Sequence, residues 1–179
     1  MKKNIVLIGY RATGKTTIGK LLAQRLNWNF IDTDILIEQR ARQSISQIVA
    51  ERGWEYFREL ESKIIQGTSH LSNHIIAVGG GAILKKENVE TLKKTGFLIW
   101  LKASPNVIAK RLLKDGKTLS MRPSLTGKMP QDEIEEVLMA RLPAYKEAAD
   151  LEINTEYSAP EQIVIKIINL LTKQLKIID

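Results

Sequence analysis

The sequence predicts an α/β fold, a three-layer sandwich built around a five-stranded parallel sheet. Three observations predict it. Short, continuous apolar runs recur along the chain, as strands buried on both faces require. Amphipathic stretches with helical spacing separate them, so strand and helix alternate. Glycine or aspartate clusters follow several of the apolar runs, at the strand ends where ligands bind in open parallel sheets.

Each element has its own signal. Asn4–Ile8 is an apolar run ended by Gly9, and residues 15–26 follow with Ile18, Leu21, Leu22 and Leu26 at helical spacing, closed by Asn27. Phe30 and Ile31 open a second strand that ends in Asp32-Thr33-Asp34. Ser44-x-x-Gln47 is a capping box for a helix that stops at Gly53, and a second helical pattern runs from Glu55 to about Ser69 through Phe57, Leu60, Ile64 and Ile65. A third strand, 75–78, is halted by Gly79, Gly80 and Gly81. A polar helix covers about 86–95, with Gly96 in the place of a left-handed C′ glycine, and 97–101 is the fourth strand.

Ser104-Pro105 then supplies an N-cap and a proline at the first helical position, opening a helix through Val107, Ile108, Arg111 and Leu112. Between 115 and 130 the periodicity disappears, and Gly116, Pro123, Gly127 and Pro130 punctuate a connection long enough to read as a functional lid or as disorder. A helix resumes near Gln131. Its first turns hold Asp132, Glu133, Glu135 and Glu136, which the helix dipole explains without any function. Pro143 is expected to end or kink it. Residues 151–153 form the fifth strand, and Ser158-x-x-Glu161 with Pro160 starts the final amphipathic helix. No repeat or linker interrupts the chain, so residues 1–179 read as one domain.

Composition narrows the chemistry. The 179 residues include no cysteine and two histidines, His70 and His74, which excludes disulfides, thiolate zinc sites and cysteine nucleophiles. Both histidines read as surface residues at a helix end. The apolar run after Asn4 is too short for a secretory signal, and no run is long enough to span a membrane. The chain is therefore expected to be soluble and cytoplasmic. Its net charge is +7, but the excess is regional: residues 1–120 carry it, and the last third is acidic. It peaks between 102 and 128, where Lys102, Lys110, Arg111, Lys114, Lys117, Arg122 and Lys128 face only Asp115. Nucleic acid, a membrane surface or phosphorylated small molecules could each use such a charge.

One motif decides among these. Gly9-Tyr-Arg-Ala-Thr-Gly14-Lys15-Thr16 matches G-x-x-x-x-G-K-[ST] between a predicted strand and a predicted helix, the context a phosphate-binding loop requires. Its backbone N–H groups and the helix N-terminus favour an anion. Lys15 would reach the β- and γ-phosphates, and Thr16 would ligate Mg²⁺. Asp32-x-Asp34 stands at a strand end, where the plain reading is a turn or N-cap pair. Beside a phosphate loop, one carboxylate can assist Mg²⁺ while the other holds an acceptor hydroxyl. In Phe57-Arg58-x-x-Glu61, the plain reading of Arg58 and Glu61 is an i,i+3 surface ion pair worth little. Gly79, Gly80 and Gly81 either form a flexible turn or let the backbone approach a ligand.

In this order the nucleotide loop, Asp32-x-Asp34, Phe57-Arg58-x-x-Glu61, Gly79-Gly80-Gly81, Arg122-Pro123 and Arg141-x-x-x-Tyr145 resemble the shikimate kinase family over nearly the whole chain. The resemblance implies a P-loop fold like that of nucleoside-monophosphate kinases, and transfer of the ATP γ-phosphoryl group to the 3-hydroxyl of shikimate in aromatic amino-acid biosynthesis. It also implies a substrate-binding helical region at about 33–62 and a lid at about 114–130. Carried over by position, Ala12, Thr13, Gly14, Lys15, Thr16 and Thr17 hold ATP, with Arg111, Arg122 and Pro160 near the nucleotide. Thr16 and Asp32 serve Mg²⁺. Asp34 holds or deprotonates the acceptor hydroxyl, Arg58 and Arg141 clamp the shikimate carboxylate, and Gly79, Gly80 and Gly81 contact shikimate. Lys15, Asp34 and Arg122 are the catalytic set, with Arg122 stabilising the transferring phosphoryl group.

The chain departs from the family at Ala12, where many members have glycine, and at Ser124, where Arg-Pro is often followed by leucine. The family's second arginine near the lid is assigned to Arg111. Gluconate and nucleoside monophosphates are the competing acceptors. A nucleotide-dependent nucleic-acid-binding module is the reading from a different class, but the 102–128 segment has no aromatic residue for base stacking. The expectation is a monomer that binds small molecules and neither nucleic acid nor membrane.

Overall fold

The computed structural model describes residues 3–115 and 130–173. Five strands form one sheet: β1 (Asn4–Ile8), β2 (Asn29–Asp32), β3 (His74–Ala77), β4 (Gly96–Lys102) and β5 (Leu151–Asn154). Their spatial order is β2-β3-β1-β4-β5 and every pairing is parallel, with Val6 opposite Ile76 on one side and Leu98 on the other. The predicted α/β architecture is the observed one.

The central strand shows why the chain folds this way. Ile5, Val6, Leu7 and Ile8 are all buried, but successive side chains point to opposite faces. Ile5 and Leu7 join one core with Ile18 and Leu22 of α1 (Lys15–Leu26) and Ile163, Val164, Ile167 and Leu171 of the last helix (Pro160–Lys173). Val6 and Ile8 join the other, with Trp100 of β4 and with Ile65, Leu92 and Tyr145 from the opposite helical layer. Each fully buried aliphatic side chain contributes roughly 1.5–3 kcal/mol of transfer free energy, so both helical layers are held by one short strand.

Further helices complete the layers: α2 (Thr33–Ala41), α3 (Ile45–Gly67), α4 (Lys86–Thr95), α5 (Pro105–Asp115) and α6 (Pro130–Ala148), with α7 the final Pro160–Lys173 segment. α2 and α3 enclose a separate small core of Ile37, Ile45, Ile48, Phe57 and Ile64. The capping box at Ser44 and Gln47 is formed in both directions. The two helical patterns read on either side of Gly53 run on from each other across a break at that residue, which has φ 79° and ψ 171°.

Several expectations need correction. The second strand ends at Asp32, and Thr33 and Asp34 begin α2, a helix the sequence pattern did not disclose. Asp32 is its N-cap, accepting from the Asp34 N–H at 3.1 Å. Gly96 is extended (φ −112°) rather than left-handed. Glycine is needed there because a Cβ would lie 2.5 Å from Val6 Cγ2 and 2.8 Å from the Leu92 carbonyl oxygen. α6 passes through Pro143 to Ala148. The proline leaves the carbonyl of Met139 without its helical donor, and both residues lie on the exposed side, where that loss costs least. At the start of α7 it is Gln162, not Glu161, that reaches back, accepting from the Ala159 N–H at 3.2 Å. His74 opens β3 rather than lying at a helix end, and its N–H donates to Asn4 Oδ1. Most of the predicted lid, with Arg122, Pro123 and Ser124, lies outside the described residues.

Candidate active site

The carboxyl end of β1 turns directly into the phosphate-loop motif. Gly9 has φ 144° and Gly14 has φ 96°; a Cβ on Gly9 would come within 2.5 Å of the Leu101 carbonyl oxygen. Ala12 is also left-handed, at φ 60°. Gly14 caps α1 without any side-chain hydrogen bond, so the first N–H groups of the helix face the loop with no side chain satisfying them. Lys15 Nζ donates to the carbonyls of Gly9 (2.8 Å) and Tyr10 (2.9 Å), which holds the ammonium across the loop mouth. Thr16 Oγ1 donates to Asp32 Oδ2 at 2.8 Å.

The Thr16–Asp32 pair joins two hard oxygen donors at the N-terminus of α1, a donor set suited to Mg²⁺. Among the described residues no group of three or more His, Cys, Asp or Glu side chains could hold a metal by itself. That fits an ion bound through one or two protein oxygens, phosphates and water, and not one held in an all-protein cage.

On one side of the loop Ala12, Thr13, Gly14, Thr17, Arg111 and Pro160 line a single cavity. All six were predicted at the nucleotide. Thr155 and Ser158 line it too and were missed. Arg111 is fixed there by three bonds: to the carbonyl of Ala12 (3.2 Å), to Thr155 Oγ1 (3.0 Å) and to the Thr155 carbonyl (2.5 Å). Thr155 follows β5 directly, so its place became visible only once β5 was seated beside β4.

On the other side Asp34, Arg58, Gly79, Gly80, Gly81 and Arg141 line a second pocket. These are all six of the predicted substrate residues. The glycines there have a specific cause. A Cβ on Gly79 would lie 2.5 Å from Glu61 Oε1 and 2.8 Å from Asp34 Oδ1, and one on Gly81 would lie within 2.7 Å of three guanidinium atoms of Arg58. The run therefore makes room for two carboxylates and a guanidinium as well as for a ligand. Gly80 accepts from the Tyr145 hydroxyl at 2.6 Å.

The Arg58–Glu61 pair is not the surface bridge its spacing suggests. Arg58 Nη1 donates to Glu61 Oε2 at 2.6 Å, and Glu61 is 0% exposed. Its second oxygen, Oε1, is buried with no hydrogen-bond partner. Burial pushes the Glu61 carboxyl above its ordinary range; Arg58 opposes this, while nearby Asp34 adds to it. Arg141 is 9% exposed, sits 5.9 Å from the Tyr10 ring centroid with its charge close to the Tyr145 hydroxyl, and has no carboxylate at ion-pair distance among the described residues. A buried guanidinium without a counter-charge is a ready receptor for an anion. Burial raises the pKa of both Tyr10 and Tyr145, so both phenols are neutral around the pocket.

The pocket also contains Tyr10, Arg11, Ile45, Trp54, Phe57 and Glu61, none of which was assigned to it. Glu61 had a usable signal in its spacing from Arg58. Tyr10 and Arg11 had none, because they occupy unspecified positions of the loop motif. Glu133 needs a correction as well. The helix dipole accounted for it from sequence, yet it is 2% exposed and bonded to Arg11. Its spacing to Val137, Arg141 and Tyr145, four residues apart along one buried face of α6, was the signal available.

Comparison with known proteins places the sequence and fold in one family. The family model described as shikimate kinase matches residues 11–172. A shikimate kinase from Syntrophus aciditrophicus is 41% identical, with 96% of this chain and 92% of that protein covered. A shikimate kinase 2 from Photorhabdus laumondii is 44% identical over 91% of this chain and 92% of its own. Among solved structures, a shikimate kinase from Acinetobacter baumannii in complex with shikimate superposes with a TM-score of 0.89 at 31% identity, covering 98% of this chain and 96% of that one. With its sheet order, its loop and its two flanking pockets, the chain belongs to the shikimate kinase family.

Proposed function

We propose that the protein transfers the γ-phosphoryl group of ATP to the 3-hydroxyl of shikimate, giving shikimate 3-phosphate and ADP. The observation that carries this reading is the pocket beside the phosphate loop, where Asp34, Arg58, Arg141 and the three glycines converge. The pocket offers two guanidiniums for a carboxylate and one carboxylate for a hydroxyl, which suits a small hydroxy acid.

In this reading residues 33–62 supply the acceptor side, and Arg58 and Arg141 grip the acceptor carboxylate. Asp34, nearly buried in the first turn of α2, accepts a hydrogen bond from the reacting hydroxyl and takes its proton as the oxygen attacks the γ-phosphorus. The bond from the γ-phosphorus to the β–γ bridging oxygen breaks, and ADP leaves. Lys15 turns from the loop carbonyls toward the phosphates. Thr16 and Asp32 would hold Mg²⁺, which would supply positive charge against the phosphates. Arg111 and Pro160 border the nucleotide base. Arg122, outside the described residues, is assigned to the charge on the transferring group, within a lid at about 114–130.

An ADP-release assay with shikimate, gluconate, AMP and CMP tests the assignment. Turnover is expected with shikimate; turnover on another acceptor but not on shikimate would overturn it. Arg58→Ala removes a charge-assisted contact to the acceptor alone, so the shikimate KM is expected to rise about 10–100-fold. The KM for ATP should stay within about twofold. Equal effects on both substrates would count against a carboxylate clamp.

A further inference from the structure

We propose that Arg11 and Glu133 are a positioning pair that ties the nucleotide loop to the helix carrying Arg141, so that binding of nucleotide and binding of acceptor are thermodynamically linked. This rests on the proposed reaction, because it takes the two pockets to be the nucleotide and acceptor sites.

The loop motif specifies glycine, lysine and threonine, and leaves positions 10 to 13 open. Nothing in phosphate binding demands an aromatic at Tyr10 or a cation at Arg11. Yet Tyr10 is 1% exposed and packs among Ile108 and Leu112 of α5 and Ile134 and Val137 of α6. Arg11 Nη2 reaches Glu133 Oε1 at 2.5 Å, with the two side chains 9% and 2% exposed. The Arg11 and Arg141 guanidiniums lie 5.5 and 5.9 Å from the centroid of the same Tyr10 ring. Glu133 and Arg141 share one face of α6, eight residues apart, so whatever holds Glu133 also sets the height and rotation of Arg141 in the acceptor pocket.

A buried ion pair is a poor way to gain stability, because desolvation offsets its attraction and an apolar pair of similar size does as well. What it supplies is a defined placement. The route to the nucleotide is equally local. The Tyr10 carbonyl, one peptide from Arg11, accepts from Lys15 Nζ at 2.9 Å and from Thr13 Oγ1 at 2.8 Å. A phosphate that draws on Lys15 competes for the ammonium that this carbonyl holds. The change is passed through Tyr10 and Arg11 to Glu133 and so to Arg141. Linkage requires that the acceptor affect nucleotide affinity by the same factor.

Calorimetric titration measures the linkage. Shikimate is titrated into the protein with and without saturating MgADP, and MgADP with and without shikimate. In the wild type the two ratios are expected to agree and to be about fivefold or more. The double variant R11M/E133Q removes both charges, leaving neither one buried alone, and its ratio is expected to fall below about twofold with its Tm little changed. E133Q by itself keeps an acceptor for Arg11 without the charge, and should give an intermediate ratio; it carries the test if the double variant does not fold. A purely structural role would lower Tm or weaken both ligands while leaving the ratio intact. A wild-type ratio near one, or a variant that keeps the wild-type ratio, overturns the proposal. Failure of the wild type to bind shikimate at all overturns the proposed reaction, and this inference with it.

Discussion

Gly79 looks like a simple turn residue, but its missing side chain leaves the space that Asp34 and Glu61 occupy. A methyl group there would meet oxygens of both carboxylates at 2.5 and 2.8 Å. Gly79→Ala is therefore expected to push Asp34 away from the acceptor hydroxyl and lower kcat about 10- to 100-fold, because a displacement of about 1 Å costs that much in a positioned reaction. Steady-state kinetics beside a thermal melt separates this from unfolding. Glu61 makes a second prediction. Its carboxyl is raised above the ordinary 4.5 by burial, so the folded chain holds its proton to higher pH than the unfolded chain does. The ionised form is thus penalised only in the folded state. Stability from this group is highest below pH 4.5 and declines as pH rises from there through its raised folded value. Glu61→Gln removes the titration. The Tm of the wild type relative to Glu61→Gln should fall across that window and then level off; a difference constant with pH would show that burial does not govern this carboxyl.

At the scale of an element, α6 shows how one helix tolerates a poor residue while carrying the site. Pro143 sits within Pro130–Ala148 on the exposed side, and the helix continues past it because the opposite face, with Val137, Arg141 and Tyr145, is buried against the sheet and the loop. Packing outweighs a local cost that reaches about 3 kcal/mol in an isolated helix. Pro143→Ala restores a donor for Met139, and denaturant unfolding should show about 1–2 kcal/mol of added stability once the looser unfolded chain is allowed for. α2 teaches the reverse lesson. Its hydrophobic signal is weak, with only Thr33, Asp34 and Ile37 buried, and what sets its start is the Asp32 side chain capping the Asp34 N–H. The same aspartate faces Thr16, so one residue begins a helix and offers a metal oxygen.

Over the whole molecule, the +7 charge reads as local receptors for small anions. Arg58, Arg141 and Arg11 line one pocket and Lys15 lies across the loop beside it, at the carboxyl end of the central strand, and Glu61 and Glu133 neutralise two of the guanidiniums. No described helix is long and apolar enough to cross a membrane. A polyanion reader would show retardation of duplex DNA that weakens steeply with salt; none is expected at physiological ionic strength, and a gel-shift titration across salt checks it.

The order of the elements, α2 excepted, was legible in the chain because the others carry local signatures: apolar runs for strands, amphipathic spacing and a capping box for helices, and proline at the first helical position. So was the loop motif, whose residue types and spacing state what it can bind; Asp34, Arg58, Gly79, Gly80, Gly81 and Arg141 took their roles from the ordered resemblance to the shikimate kinase family, and the fold brings all six to one pocket. What tertiary structure decided was which of these are buried and what they face. Arg11 and Glu133 are 122 residues apart, and Arg111 reaches Thr155 across 44. No periodicity links such positions, because their contact depends on β1 and β5 flanking β4 and on how α5 and α6 then pack over the loop. Glu61 looked exposed for the same reason: spacing of three residues places it beside Arg58, but only the packing of α3 against Gly79, in the turn after β3, brings it out of reach of water.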